Sequence, residues 1–253
     1  MSKDPSVPAK ARREQPRFVS YARALRDRFS RAALQKVNAL RLRKQLNVQP
    51  RDDLARTGTA YGGWSIPAGL LSNESVCYLA GLGEDASFDL SLIERFGCTV
   101  YAFDPVLEAA QYAGSVSAQE PRFRFSPVGL WSSDGTLRFY DNAEPGFVSR
   151  SATNMHATGS FTEAEVRSID SLMAEFGHTH VDLLKLSVEG SEYTLVDDLL
   201  AKQLPVKVLC VEFAQPAPLE PIIARVHALE AGGYQLVNAS LPPFNWKLTF
   251  WSA

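Results

Sequence analysis

Residues 76 to 105 constrain the fold more than any other stretch. The apolar run Val76-Cys77-Tyr78-Leu79-Ala80 is short and rich in β-favouring side chains, and Gly81 and Gly83 follow at once. Phe88, Leu90, Leu92, Ile93 and Phe96 then recur at roughly helical spacing, and a second strand-like run, 98–103, ends at Asp104. Strand, glycine turn, helix, strand and acid, in that order, open a nucleotide-binding α/β fold. The terminal carboxylate of such a unit is placed to accept hydrogen bonds from a ribose diol.

Two cofactor classes use this unit. Gly81-x-Gly83-x-x-Ala86 satisfies the loose dinucleotide pattern, which would suit NAD but carries little weight alone. Glu84 and Asp85 would set two negative charges where a pyrophosphate needs bare amide donors. S-adenosylmethionine has no phosphate and carries a sulfonium and an ammonium, so the same acids attract it. On this ground the methyl donor is favoured over a dinucleotide. Either acid could instead complement the helix dipole from solvent.

The chain is long enough, at 253 residues, to bury a full core as one α/β domain. It shows neither a membrane-spanning apolar run nor a signal core, so a soluble, cytoplasmic protein is expected. Cys77, Cys98 and Cys210 all fall in apolar strand-like runs without metal-ligand spacing, and read as buried thiols; no metal is assigned. Charge is unevenly placed. Residues 1–50 hold 13 of the 26 Lys and Arg but only 3 of the 28 Asp and Glu, a balance of +10 against −12 for the rest. The expected organisation is a basic arm, 1–50, on an acidic domain, 51–253.

Within the arm, residues 1–16 are polar and proline-bearing and are expected to be disordered. From Phe18 to about Leu46, Phe18, Tyr21, Leu25, Phe29, Ala33, Val37 and Leu40 recur at helical spacing among many arginines, a basic amphipathic helix. It either docks on the acidic body or touches an anionic membrane surface or anionic substrate, peripherally. Nucleic acid is disfavoured for want of reader motifs, an organelle transit peptide stays open, and oligomeric state is not legible.

Residues 51–75 read as a linker carrying Tyr61-Gly62-Gly63-Trp64, whose aromatics either fold over the ligand or anchor the connector to the core. After Asp104 come a short helix, 106–113, a strand at 122–130, and a turn at Ser132-Ser133-Asp134-Gly135 into Thr136–Tyr140, together read as a hairpin. Residues 141–160 form a long loop with Asn154 and His156, and loops of that length are more often functional than idle. A short strand, 165–169, and a helix ended by Gly177 precede the buried strand 181–186. Helix to about 201, strand 206–213, helix 218–231 and a final hairpin, 234–239 with 246–251, close a doubly wound sheet whose last strand is antiparallel.

Five segments in order resemble the FkbM-type methyltransferases: Gly62-Gly63-Trp64, Gly81-Leu82-Gly83-Glu84-Asp85-x-x-Phe88-Asp89, Ala102-Phe103-Asp104-Pro105, Val128-Gly129-Leu130-Trp131 and Asp182 through Glu192. The resemblance spans about 60 to 252. It implies a seven-stranded Rossmann-like class I fold using S-adenosylmethionine, mostly for O-methylation of hydroxyls on sugars, glycolipids or other small molecules. By the same resemblance Gly81, Gly83, Glu84 and Asp85 would line the methionine portion, Asp104 the ribose, and Val128, Gly129 and Leu130 the adenine. The family pattern is usually Lys-x-Asp-x-Glu-Gly, and here the Asp position is Ser187, which is kept among the cofactor contacts. A serine is no carboxylate base at neutral pH. Glu189, which could instead cap the next helix or pair with Lys185, and His156 on the long loop are therefore the candidate bases. Trp64, Asn154 and Glu212 are the candidate substrate contacts. A methyltransferase-like module that binds without turnover remains the alternative, with an NAD-dependent oxidoreductase behind it.

Overall fold

The computed structural model describes residues 33–143, 149–155, 157–215, 217–242 and 245–252. His156 and the first part of the arm lie outside them. A helix, α1, covers residues 33–45. Then follow β1 (Leu54–Thr57), β2 (Trp64–Pro67), β3 (Val76–Ala80), α2 (Ser87–Phe96), β4 (Thr99–Phe103), α3 (Leu107–Ser117) and β5 (Phe123–Ser126). After these come β6 (Gly129–Leu130), β7 (Gly135–Asp141), β8 (Arg150–Ser151), β9 (Phe161–Arg167), α4 (Ile169–Phe176) and β10 (Val181–Leu186). The chain closes with α5 (Glu192–Lys202), β11 (Val206–Ala214), α6 (Leu219–Ala231), β12 (Tyr234–Ser240) and β13 (Asn245–Ser252).

Seven strands form the central sheet in the order β12-β13-β11-β10-β3-β4-β5. The pairs from β11 to β5 are parallel, and β13 runs antiparallel between β11 and β12. The doubly wound sheet with its antiparallel closing strand is thus as expected. Alternation along each strand feeds two cores. Tyr78, Ala80, Leu184, Leu186, Leu209 and Val211 face α4, α5 and α6. Cys77, Leu79, Val100, Leu183, Val208 and Cys210 face α2, α3 and β2. All three cysteines are free and buried.

Three local expectations change. The stretch read as a linker contains the β1–β2 hairpin, because Trp64 and Ile66 have a core to enter beside α2. The hairpin read at 122–140 does not form. β5 completes the central sheet, whereas β6 and β7 join β8 and β9 in a separate sheet of order β6-β9-β7-β8. Pairing β7 with β9 puts Phe139 on the same face as Val166, and both are buried there. Asp134, in the turn before β7, accepts from the Ser168 amide at 2.8 Å and from Arg167 Nε at 3.1 Å, which fastens the turn to the end of β9. Finally, β9 stops before Ile169, because the Ser168 hydroxyl accepts the Ser171 amide and starts α4.

The 33–46 part of the arm packs on the domain. Leu42 is fully buried, and Ala39 and Leu46 pack on the α4–α6 core. Burying one leucine is worth about 1.5–3 kcal/mol, enough to pin a short helix. Among the described residues no helix is long and apolar enough to cross a membrane.

Candidate functional site

The carboxyl ends of β3, β4, β10 and β11 meet at one edge of the sheet. After β3 the chain turns through Gly81 (φ 80°) and Gly83 (φ 55°). A Cβ at Gly81 would strike the carbonyl oxygen of Ser187, so only glycine admits this left-handed turn so close to the end of β10. The Gly81 amide donates to the Phe103 carbonyl at 2.9 Å, and the Gly81 carbonyl accepts from Lys185 Nζ at 2.7 Å. Lys185 is buried within β10, and its charge opposes the effect of burial on the carboxyls of Asp85, Asp89 and Asp104 around it.

Asp104 stands just past β4 and is 6% exposed. Its Oδ2 accepts the Gly83 amide and its Oδ1 the Val106 amide, both at 2.9 Å. Burial pushes its carboxyl above the usual range, against the pull of those bonds and of Lys185. Gly83 has open space where a side chain would stand. Val128, Gly129 and Leu130 are buried beside this corner, with Gly129 cramped by Phe139, Val166 and Pro105.

The two acids of the turn part company. Glu84 is exposed. The Asp85 Oδ1 accepts the Ser87 amide at 2.9 Å, and its Oδ2 accepts from Thr59 Oγ1 at 3.2 Å. Burial alone would raise its pKa, but those bonds and Lys185 hold it below the usual carboxylate range. Asp85 therefore clasps the start of α2 to the β1–β2 loop. Behind it Asp89 is wholly buried on α2, its pKa pushed up to about 6 by burial against the pull of Lys185.

A second group of charges lies at the ends of β10 and β11. Glu189 holds a left-handed backbone (φ 43°), which is strained for a residue other than glycine. Its carbonyl accepts from Ser151 Oγ at 2.7 Å, and next to it Gly190 (φ 94°) lies so close to Thr153 Oγ1 that a Cβ would strike it. Burial and the neighbouring Glu212 raise the Glu189 carboxyl, with a Ser149 hydrogen bond opposing them. Glu212, on β11, lies opposite Lys247 of β13 and 3.5 Å from its Nζ. Burial lowers the Lys247 ammonium, whose Nζ donates to the Tyr61 carbonyl at 2.7 Å and sits 5.0 Å from the Trp64 ring centroid.

Neither bland role foreseen for Glu189 is the one observed. Lys185 is spent on Gly81, and the carboxylate that receives the amides at this corner is Glu192, through Gly190 at 2.6 Å and Ala214 at 3.2 Å. Glu192 is wholly buried, and burial pushes its pKa up to about 7. Sequence reasoning assigns no role to Glu192 or Lys247. A lysine set between the apolar Trp246 and Leu248 of the closing strand is the available signal for the second.

Two candidate substrate contacts are corrected. Trp64 is 1% exposed and packs against Phe88 in the core, so it anchors the hairpin; the exposed aromatic of that loop is Tyr61, at 80%. The Asn154 amide is consumed within its own loop, accepting the Thr158 amide at 3.0 Å and donating to the Thr158 carbonyl at 3.1 Å. Glu212 does stand at the edge, paired with Lys247. The surface depressions of about 530 Å³ beside α2, near Arg56 and Arg95, and about 620 Å³ near His180 and Trp251 contain none of the turn glycines or the glutamates above. The site is defined by its convergent polar groups.

The Methyltransferase FkbM domain matches residues 82–236, from the glycine turn to the middle of β12. The chain belongs to the FkbM methyltransferase family. No curated protein matches this FkbM chain. Among solved structures it is similar to precorrin-6y C5,15-methyltransferase from Geobacter metallireducens GS-15, at 12% identity and a TM-score of 0.42, over 81% of this chain and 98% of that one. The Methanococcus jannaschii fibrillarin pre-rRNA processing protein aligns at 12% identity and 0.43, over 82% and 86%. A SAM-dependent methyltransferase from Aquifex aeolicus aligns at 12% and 0.39, over 74% and 86%. At those values none of the three bears on the substrate or mechanism of this FkbM protein.

Proposed function

We propose that the chain transfers a methyl group from S-adenosylmethionine to a hydroxyl of a sugar, a glycolipid or another small metabolite. Membership of the FkbM family supports the donor, and the observation that carries the reading is the grip on Asp104 beside the glycine turn. A carboxylate offers about four acceptor positions. The amides of Gly83 and Val106 take two, which leaves capacity for the two hydroxyls of a ribose. The open space at Gly83 admits a ligand, and exposed Glu84 disfavours a pyrophosphate at the same turn. These residues fit the methyl donor.

Bound there, S-adenosylmethionine supplies a methyl group already activated on a sulfonium. The protein has then to align the acceptor oxygen and receive its proton. We assign the proton to Glu189, whose carboxyl is raised by burial and by Glu212 and so binds an arriving proton more readily than a solvated glutamate does. Ser187, where the family usually has aspartate, cannot take it. Ser151 and Thr153 hold the strained Glu189-Gly190 backbone in place, and Lys247 partly neutralises Glu212 next to it.

The test is incubation with methyl-labelled donor and extracts of hydroxylated metabolites and glycolipids. Label is expected in a product that survives mild alkali, as an ether does and an ester does not. Ser187 favours one other reading, a domain that binds the donor without turnover. Donor binding that persists while no extract becomes labelled would select it.

A further inference from the structure

α1 is held by one side and presents the other. Leu42 is fully buried, Ala39 and Leu46 pack on the same core, and the Gln49 amide beyond the helix donates to the Leu236 carbonyl of edge strand β12 at 2.7 Å. At 3.6 residues per turn, the side opposite these contacts carries Val37, Leu40 and Lys44. Leu34 and Arg41 flank it on one side, and Lys36 and Arg43 on the other. Leu34, Val37 and Leu40 are 58%, 44% and 61% exposed, against the buried Leu42 of the same helix. No acid occurs between Asp27 and Asp52. Among the described residues none of the four α1 cations is in an ion pair.

We propose that this outer side of α1 is a docking surface for an anionic phospholipid bilayer, on which the helix lies parallel to the membrane plane. Apolar side chains flanked on both sides by cations suit such an interface: the leucines and valine enter the acyl boundary while Lys and Arg stems reach back to the phosphates. Charge complementarity selects this occupant. Residues 1–32 add nine Lys and Arg against three acids, so the chain leading into α1 is drawn to the same surface. A second copy docked here would bring like charges together, and a merely acidic protein surface would leave the apolar residues unused. The surface stands apart from the proposed chemistry, since no residue of α1 belongs to the carboxyl-edge site.

The experiment is co-sedimentation of the full chain with phosphatidylcholine vesicles, and with the same vesicles carrying phosphatidylserine, at low and high salt. Attachment is expected only with phosphatidylserine, released by salt, and weakened roughly tenfold by the double variant Val37→Glu/Leu40→Glu. Both positions are exposed, so the variant should keep the wild-type melting temperature. A second variant, Lys36→Gln/Arg43→Gln, keeps the apolar side chains and should bind more weakly with less salt dependence. Absence of attachment, or equal attachment to neutral vesicles, overturns the proposal. So does attachment that both variants leave unchanged, which would place the contact elsewhere in the chain. A dimer in sedimentation velocity that Val37→Glu/Leu40→Glu dissolves would give the surface to a second copy and overturn it as well.

Discussion

Asp104 is held by amides two and twenty-one residues away, and the turn it grips is fixed by one lysine in the neighbouring strand. Glu189, Glu212 and Lys247, on the other half of the same edge, come from the ends of three strands and meet only through the register of β11 against β13 and the packing of the 149–155 segment. In the first half Asp104 has two amide donors and the backbone bends at glycines. The second holds a left-handed glutamate and two carboxyls near one another, with Lys247 beside Glu212 and bonded to the Tyr61 carbonyl. A half built like the first should bind and tolerate little change. A half built like the second should do chemistry, and changes in it should alter rate while binding persists.

The largest effect that would sharpen this contrast is that of Glu189→Gln. Loss of the proton acceptor should lower methyl transfer by about 10²–10⁴ while the donor's dissociation constant stays within about twofold. If donor binding falls as much as the rate, the two halves are not separate. Next comes Asp104→Ala, which removes the proposed acceptor of the ribose hydroxyls, so donor affinity should drop at least roughly tenfold, while the unpaired Gly83 and Val106 amides lower stability by about 1–3 kcal/mol each. An unchanged dissociation constant by calorimetry would remove Asp104 from the site.

Lys247→Met is the third. Glu189 must be ionised to act, and burial and Glu212 have already raised its carboxyl, so transfer should fall as pH drops through a range above the ordinary glutamate value. Removing the Lys247 charge leaves Glu212 uncompensated, which favours protonated Glu189 further. The acid limb of the rate profile should therefore move up by about one pH unit. A downward shift would contradict the placement of these three charges. The smallest effect is the one on stability expected of Glu189→Gly, which relieves the left-handed backbone and should stabilise the fold by about 1 kcal/mol while transfer is lost as in Glu189→Gln. Unchanged or lower stability in thermal unfolding would mean that the strain is not borne at this residue.

The same division governs what the sequence can reveal. The glycine turn and Asp104 are legible because the residues that demand them lie nearby in the chain and leave a pattern: a strand run, two glycines, an acid at the next strand end. The buried strands are legible from their uninterrupted apolar runs. Trp64 is not, because Tyr61-Gly62-Gly63-Trp64 reads alike whether its tryptophan covers a ligand or, as here, fills a core beside Phe88. β7 reads as the partner of its sequence neighbour because nothing local announces a strand that begins twenty residues after it ends. Asp85 draws attention for its charge, but its clasp to Thr59 depends on where the β1–β2 loop lies. Glu192 and Lys247 acquire meaning only from partners brought together by the sheet, Ala214 for one and Glu212 for the other.

The most direct measurement is calorimetric titration of the full chain with S-adenosylmethionine and, separately, with NAD. The carboxyl edge, with Asp104 beside its glycine turn, predicts saturable one-to-one binding of S-adenosylmethionine and no heat from NAD. Binding of NAD alone would contradict it, returning the glycine turn to the dinucleotide pattern that it also satisfies.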